Sequence, residues 1–125
     1  MPRIVLIVED TDYCATLLEV ALLSLPDIEL RIASTAQEAL NVLDNSTNNI
    51  AAMVTDLHMP RIDGFDLIAR VRSLPRHMRL PILVISGDSD LNTPERLRSL
   101  GANAYLPKPY SPAEVRLTLQ RLLNA

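Results

Sequence analysis

Ile50-Ala51-Ala52-Met53-Val54-Thr55-Asp56-Leu57-His58-Met59-Pro60-Arg61-Ile62-Asp63-Gly64 decides how this chain is read. Six uncharged residues of strand length run straight into an aspartate, and the loop after it is broken by Pro60 and Gly64. A buried strand that ends this way carries one carboxylate to the edge of a sheet at a fixed place. The same residue could instead accept hydrogen bonds within its own loop, an ordinary role for an aspartate at a strand end. What the rest of the chain brings to that edge decides between the two.

Upstream, Ile4-Val5-Leu6-Ile7-Val8 is a continuous β-branched run, and Leu17, Leu18, Ala21 and Leu22 then recur at helical spacing until Pro26. Ile28 to Ala33 reads as a second strand. Its interspersed Glu29 and Arg31 suggest a sheet edge or half-exposed face. Ser34 with Gln37 resembles a capping box for a helix carrying Ala36, Ala39, Leu40 and Leu43, which the polar cluster Asn45 to Asn49 ends.

Downstream, Leu67, Ile68, Val71 and Leu74 mark a third helix ending at Pro75. Pro81-Ile82-Leu83-Val84-Ile85 is a fourth strand, with proline at its first position where no ladder donor is lost. Asn92 and Glu95 open a helix through Leu97 and Leu100 that stops at Gly101, and Ala104-Tyr105-Leu106 is a short fifth strand. Ser111-Pro112-Ala113-Glu114 is a helix start with cap, first-turn proline and capping-box glutamate; Val115, Leu117, Leu119 and Leu122-Leu123 carry its stripe.

Five strand-helix pairs in alternation predict an α/β fold: a (βα)5 doubly wound parallel five-stranded sheet, flavodoxin-like, with strand order 2-1-3-4-5. Such sheets bind ligands outside the carboxyl ends of their strands. Glu9-Asp10 follow the first strand, Asp56 the third, Ser86-Gly87 the fourth and Lys108-Pro109 the fifth. Three carboxylates, a hydroxyl and an ammonium are thus expected to converge. Packing three negative groups together is costly unless a cation joins them, and an all-oxygen set suits Mg²⁺. Lys108 is the only lysine, the other eleven basic residues being arginine, so a generic surface role suits it poorly.

Composition narrows the functional classes. The 125 residues, 48% hydrophobic, fit one domain over 1–125 with a real core. A formal net charge of −3 argues against a surface built to neutralise nucleic-acid phosphates. One cysteine, Cys14, cannot make an internal disulfide, and no apolar run is long enough to cross a bilayer. A cytoplasmic protein with no membrane or direct nucleic-acid partner is the expectation.

Glu9-Asp10, Asp56-x-x-Met59-Pro60-x-x-Asp63-Gly64, Ser86, Gly101-Ala102 with Tyr105, and Lys108-Pro109 together resemble the receiver domain of two-component response regulators. The resemblance spans nearly the whole chain with matching spacings. It implies a phosphorylation-activated switch, not an enzyme beyond its own phosphoryl transfer and slow autodephosphorylation. Asp56 would accept a phosphoryl group from a phosphohistidine on a sensor histidine kinase or histidine phosphotransfer protein. Glu9, Asp10, Asp56 and the backbone carbonyl of His58 would hold Mg²⁺. Lys108 and Ser86 would bind phosphoryl oxygens, Ser86 and Tyr105 would form the switch, and the Lys108-Pro109 bond would be cis.

His58 and Asp88, two residues beyond Asp56 and Ser86, would tune dephosphorylation by flanking the path of the attacking water. Glu9 stands where the family often has aspartate, and Gly87 where it more often has alanine. Signal would leave through the fourth helix, fifth strand and fifth helix, toward a downstream protein target or an output domain absent from this chain. Whether the chain forms a homodimer is open on sequence.

Two rivals differ in class. A phosphoaspartyl phosphatase of the haloacid-dehalogenase type would carry a second aspartate two residues after the first, where this chain has His58. A receiver-like interaction module that takes no phosphate would work through its surface alone. The remaining conspicuous residues have plain readings: Cys14 as packing, Tyr110 as packing or a partner contact, and Arg70, Arg72, Arg76 and Arg79 as a solvated face. Cys14, His58 and His77 lack zinc-like spacing.

Overall fold

Each of the apolar runs becomes a strand, and all five run parallel in the order β2-β1-β3-β4-β5. The computed structural model describes residues 3–45, 49–59, 61–88 and 90–124. Pro60, part of the quoted loop, and Ser46, Thr47 and Asn48 of the polar cluster lie outside the described residues. The elements are β1 (Arg3–Val8), α1 (Asp12–Leu22), β2 (Ile28–Ala33), α2 (Ala36–Asp44), β3 (Ile50–Thr55), α3 (Gly64–Arg72), β4 (Ile82–Ser86), α4 (Thr93–Leu100), β5 (Ala104–Pro107) and α5 (Pro112–Leu123).

Alternation along β1 explains the layers. Val5 and Ile7 pack with Leu18 and Leu22 of α1 and Val115 and Leu119 of α5, while Leu6 and Val8 pack with α2, α3 and Leu97 of α4. The central strands are buried on both faces, hence their uninterrupted apolar sequence; β2 lies at an edge, as Glu29 and Arg31 suggest. Three helix starts are capped by side chains: Thr35 accepts from the Glu38 amide, Asp63 from that of Asp66, and Ser111 from that of Glu114.

Leu17 and Leu117, counted with the apolar stripes of α1 and α5, are exposed, and two further details differ from the sequence reading. The cap of α2 is Thr35, one residue after the expected Ser34, because Glu38 rather than Gln37 closes the box, reaching back to the amide and hydroxyl of Ser34. Pro75 does end the third helical stripe, but the chain then makes an unforeseen single 3₁₀ turn, Pro75–His77, before β4.

Candidate functional site

Backbone hydrogen bonds bring the strand ends level. The Glu9 amide donates to Ala33, the Asp56 amide to Val8, and the Lys108 amide to Ser86 at 2.8 Å, so the residues after β1, β3, β4 and β5 share one edge. The loop after Asp56 is fixed by main-chain packing. Gly64 donates its amide to the Leu57 carbonyl at 2.8 Å, and a Cβ at Gly64 would lie 2.5 Å from the Asp56 carbonyl oxygen. Glycine is demanded there by close approach. The Lys108-Pro109 peptide is cis, as the resemblance implied.

On this edge the expected groups meet. Carboxylate oxygens of Glu9, Asp10 and Asp56 all lie within 4.8 Å of one another. The Lys108 ammonium sits 3.3 Å from Asp56 Oδ2 and 3.7 Å from Glu9 Oε2. Asp56 Oδ1 accepts the Leu57 amide at 2.7 Å, leaving Oδ2 toward the lysine. Glu9 is 3% exposed and accepts the Thr11 amide at 3.2 Å. Burial first, then the neighbouring Asp56 charge, push the Glu9 carboxyl up to about 7. At Lys108 desolvation pulls the other way, but Asp56 and Glu9 outweigh it and raise the ammonium above its ordinary value.

The cluster is therefore short of positive charge: one ammonium serves three carboxylates, and a buried one is pushed toward holding a proton. All-oxygen donors in this state suit a hard divalent cation. Glu9, Asp10 and Asp56 are the group of this kind found among the described residues.

Around the rim, Asp88 has more partners than its sequence position suggested. Its amide donates to the buried Ser86 hydroxyl at 3.1 Å, its carbonyl accepts the Tyr105 hydroxyl at 3.3 Å, and its carboxylate accepts the Asp90 amide at 2.8 Å and the Thr93 hydroxyl at 3.2 Å. His58 Nε2 stands 3.7 Å from Asp88 Oδ2. The Asp90 amide above all, helped by Thr93 and His58, holds the Asp88 carboxyl below the usual range against desolvation, which pulls the other way. Ser86 and Tyr105, paired on sequence as a switch, do not touch directly; they meet through the backbone of Asp88. Neither this hub nor Thr93 was foreseen, and only the short Ser86-to-Asp88 spacing hinted at it.

The sequence profile of the response regulator receiver domain matches residues 5–120. The chain belongs to that family. Among curated relatives, the two-component response regulator ORR13 of Oryza sativa subsp. japonica is 33% identical over 123 residues, 96% of this chain and 94% of that one. A Chloroflexus aurantiacus structure assigned as a response regulator superposes with a TM-score of 0.89 at 34% identity over 100% of both chains. The receiver domain of the sensor histidine kinase PA1611 from Pseudomonas aeruginosa PAO1, 25% identical over 100% of both chains with a TM-score of 0.88, has a magnesium ion coordinated in its active-site cleft. This receiver shares their fold.

Proposed function

We propose that this receiver is a phosphorylation-activated switch in which Asp56 takes a phosphoryl group from a phosphohistidine of a sensor histidine kinase or histidine phosphotransfer protein. The observation that carries the reading is the Lys108 ammonium held 3.3 Å from Asp56 beside two further carboxylates. An Asp56 carboxylate oxygen attacks phosphorus, the phosphorus–nitrogen bond breaks, and the electron pair leaves on the donor imidazole. In-line positioning and charge neutralisation do most of this work.

The carboxylates of Glu9, Asp10 and Asp56, with the backbone carbonyl of His58, are the groups to hold Mg²⁺. That ion, when bound, neutralises charge on the phosphoryl oxygens; the magnesium in the PA1611 receiver supports the assignment. Lys108 exchanges its contact with Asp56 for one with a phosphoryl oxygen. Ser86 has a hydroxyl proton to donate to another oxygen while its lone pair still accepts from Asp88, so one residue serves both contacts.

A pull on Ser86 thus reaches Asp88, and from Asp88 it reaches Tyr105 and Thr93 at the start of α4. Moving an equilibrium from 1:99 to 99:1 takes about 5.5 kcal/mol of differential binding. Charge-assisted hydrogen bonds contribute roughly 1.5–3 kcal/mol each, so two or three suffice. Output passes through the surface of α4, β5 and α5 to a downstream protein. His58 and Asp88 flank the approach to Asp56 and set how long the phosphoryl group survives. The domain catalyses only its own phosphoryl transfer and slow loss and needs no nucleic acid. Its setting is the cytoplasm; no helix among the described residues is long and apolar enough to cross a membrane.

Incubation with Mg²⁺ and acetyl phosphate tests the reading. Intact mass should rise by one hydroxylamine-labile phosphoryl group in the wild type and not in Asp56→Asn. Beryllofluoride with Mg²⁺ should shift the amide signals of Ser86 and Tyr105. Silence in both experiments would mean a module that takes no phosphate.

A further inference from the structure

At the opposite end of the sheet, the arginines that read as one solvated face separate into two kinds. Arg72 is committed: its guanidinium donates to the carbonyls of Gly101 and His77 and to Asn103 Oδ1 at 2.7–3.1 Å. Arg76 and Arg79 are exposed and make no ion pair or hydrogen bond among the described residues. With His77 between them they line a depression of about 480 Å³ whose other wall includes Ile50, Leu80 and Pro81.

His77 is 6% exposed. Its Nε2 lies 2.9 Å from the Leu43 carbonyl, which only accepts, so Nε2 carries the proton and closes the C-terminal end of α2. No partner for Nδ1 exists among the described residues, and no fully buried side-chain nitrogen or oxygen among them lacks one. Nδ1 therefore reaches the surface, and the depression is the surface His77 lines. His77, nine-tenths buried and with no partner for Nδ1 among the described residues, thus lines the depression together with two unpaired arginines.

We propose that this depression is a second ligand site, which binds a phosphate group carried on a small organic molecule. Guanidinium forks match the paired oxygens of a phosphate, and Nδ1 accepts from a hydroxyl oxygen of a monoprotonated group. The apolar wall of Ile50, Leu80 and Pro81 has no role toward a bare ion and would cover the organic part. β3 separates the site from Asp56 by on the order of 20 Å, so its occupancy does not depend on phosphoryl transfer.

The test uses the whole chain, metal-free with EDTA, at ionic strength held constant with chloride. Phenyl phosphate and inorganic phosphate are titrated separately while the His77 ring signals are followed by NMR, with His58→Asn assigning them. A saturable His77 shift is expected, tighter for phenyl phosphate than for inorganic phosphate and unchanged in Asp56→Asn. The Arg76→Ala/Arg79→Ala double variant should bind about tenfold or more weakly. Equal affinity for the two probes would keep the site and make free phosphate its ligand. No saturable shift with either probe, or unaltered binding in the double variant with its melting temperature intact, overturns the proposal.

Discussion

The two ends of the sheet carry opposite charge, and they hold it in different ways. Every helix among the described residues runs antiparallel to the strands, so each begins beside the acidic cleft and ends at the far edge. First turns carry Asp12, Glu38, Asp66, Glu95 and Glu114; the last turns of α3, α4 and α5 carry Arg70, Arg72, Arg98 and Arg121. Helix dipoles favour this sorting, each charge contributing about 0.3–1 kcal/mol. The cleft goes further than the dipoles require: it buries Glu9 beside two other carboxylates and relies on a single lysine. The basic end keeps most of its charge in water and commits Arg72 and, at the start of β1, Arg3, which donates to the Leu123 carbonyl at 3.0 Å. Stored electrostatic tension, ready to be relieved by a cation, is thus confined to the end where chemistry is expected.

The largest effect should come from disturbing the main chain at the acidic end. Gly64→Ala would press a Cβ against the Asp56 carbonyl and, at 2.7 Å, the Leu57 Cα; backbone cannot swing aside as a side chain can. A loss of about 3 kcal/mol is expected, read as a lowered denaturant midpoint. If Gly64→Ala matched the wild type, the loop would be more pliant than its packing implies, and the contrast between a fixed acidic end and a loose basic one would fail.

Electrostatic tension has a pH signature. The Glu9 carboxyl, ordinarily at 4.5 when unfolded, is raised to about 7 in the fold, so the folded chain binds this proton more tightly. Its contribution to stability is complete below 4.5 and is lost as pH rises through 7. At about 1.4 kcal/mol per pH unit, the full swing is roughly 3 kcal/mol. Lys108, raised as well, loses its contribution only above its ordinary value of 10.5, outside this window. Thermal melts in EDTA should therefore fall between pH 4.5 and 7 more steeply for the wild type than for Glu9→Gln. Excess Mg²⁺ should oppose the fall, since it favours the ionised carboxylate. Identical pH slopes for the two proteins in EDTA would show that Glu9 is not under tension.

Much of the acidic end was legible in sequence because strand ends announce themselves. A β-branched run followed at once by Glu9-Asp10, or by Asp56, states both the element and the place of its polar residue. Lys108 stood out because no other lysine occurs. Contacts that no strand end places were not legible. Asp88 read as one rim residue, whereas its backbone joins Ser86 to Tyr105, seventeen positions on. His77 was singled out on sequence only for its lack of zinc-like spacing; it is buried, with Nε2 2.9 Å from the Leu43 carbonyl, 34 residues earlier, at the end of α2. Thr35 displaced Ser34 as a cap because which hydroxyl enters the box depends on the helix phase, set by packing of Ala36, Ala39 and Leu43.

The basic end gives the sharpest discrimination for the smallest effect. Arg72 and Arg76 are four residues apart and indistinguishable by type, yet one is a tie and the other is free. Arg72 joins the end of α3 to the Gly101 cap of α4 and to Asn103, whose carboxamide oxygen also accepts the Ile82 amide at 2.8 Å. Removing it strips charged donors from the part-buried Gly101 and His77 carbonyls, and Arg72→Ala should cost about 2 kcal/mol. It should also raise hydrogen exchange at Gly101 and Asn103, where the lost bonds lie. Arg76→Ala removes only an exposed side chain and should stay within about 0.5 kcal/mol. Equal costs for the two would mean that Arg72 bonds are replaced by water without penalty. A costly Arg76→Ala would mean that this guanidinium has a partner within the fold, and the depression beside it would then not present two free cations.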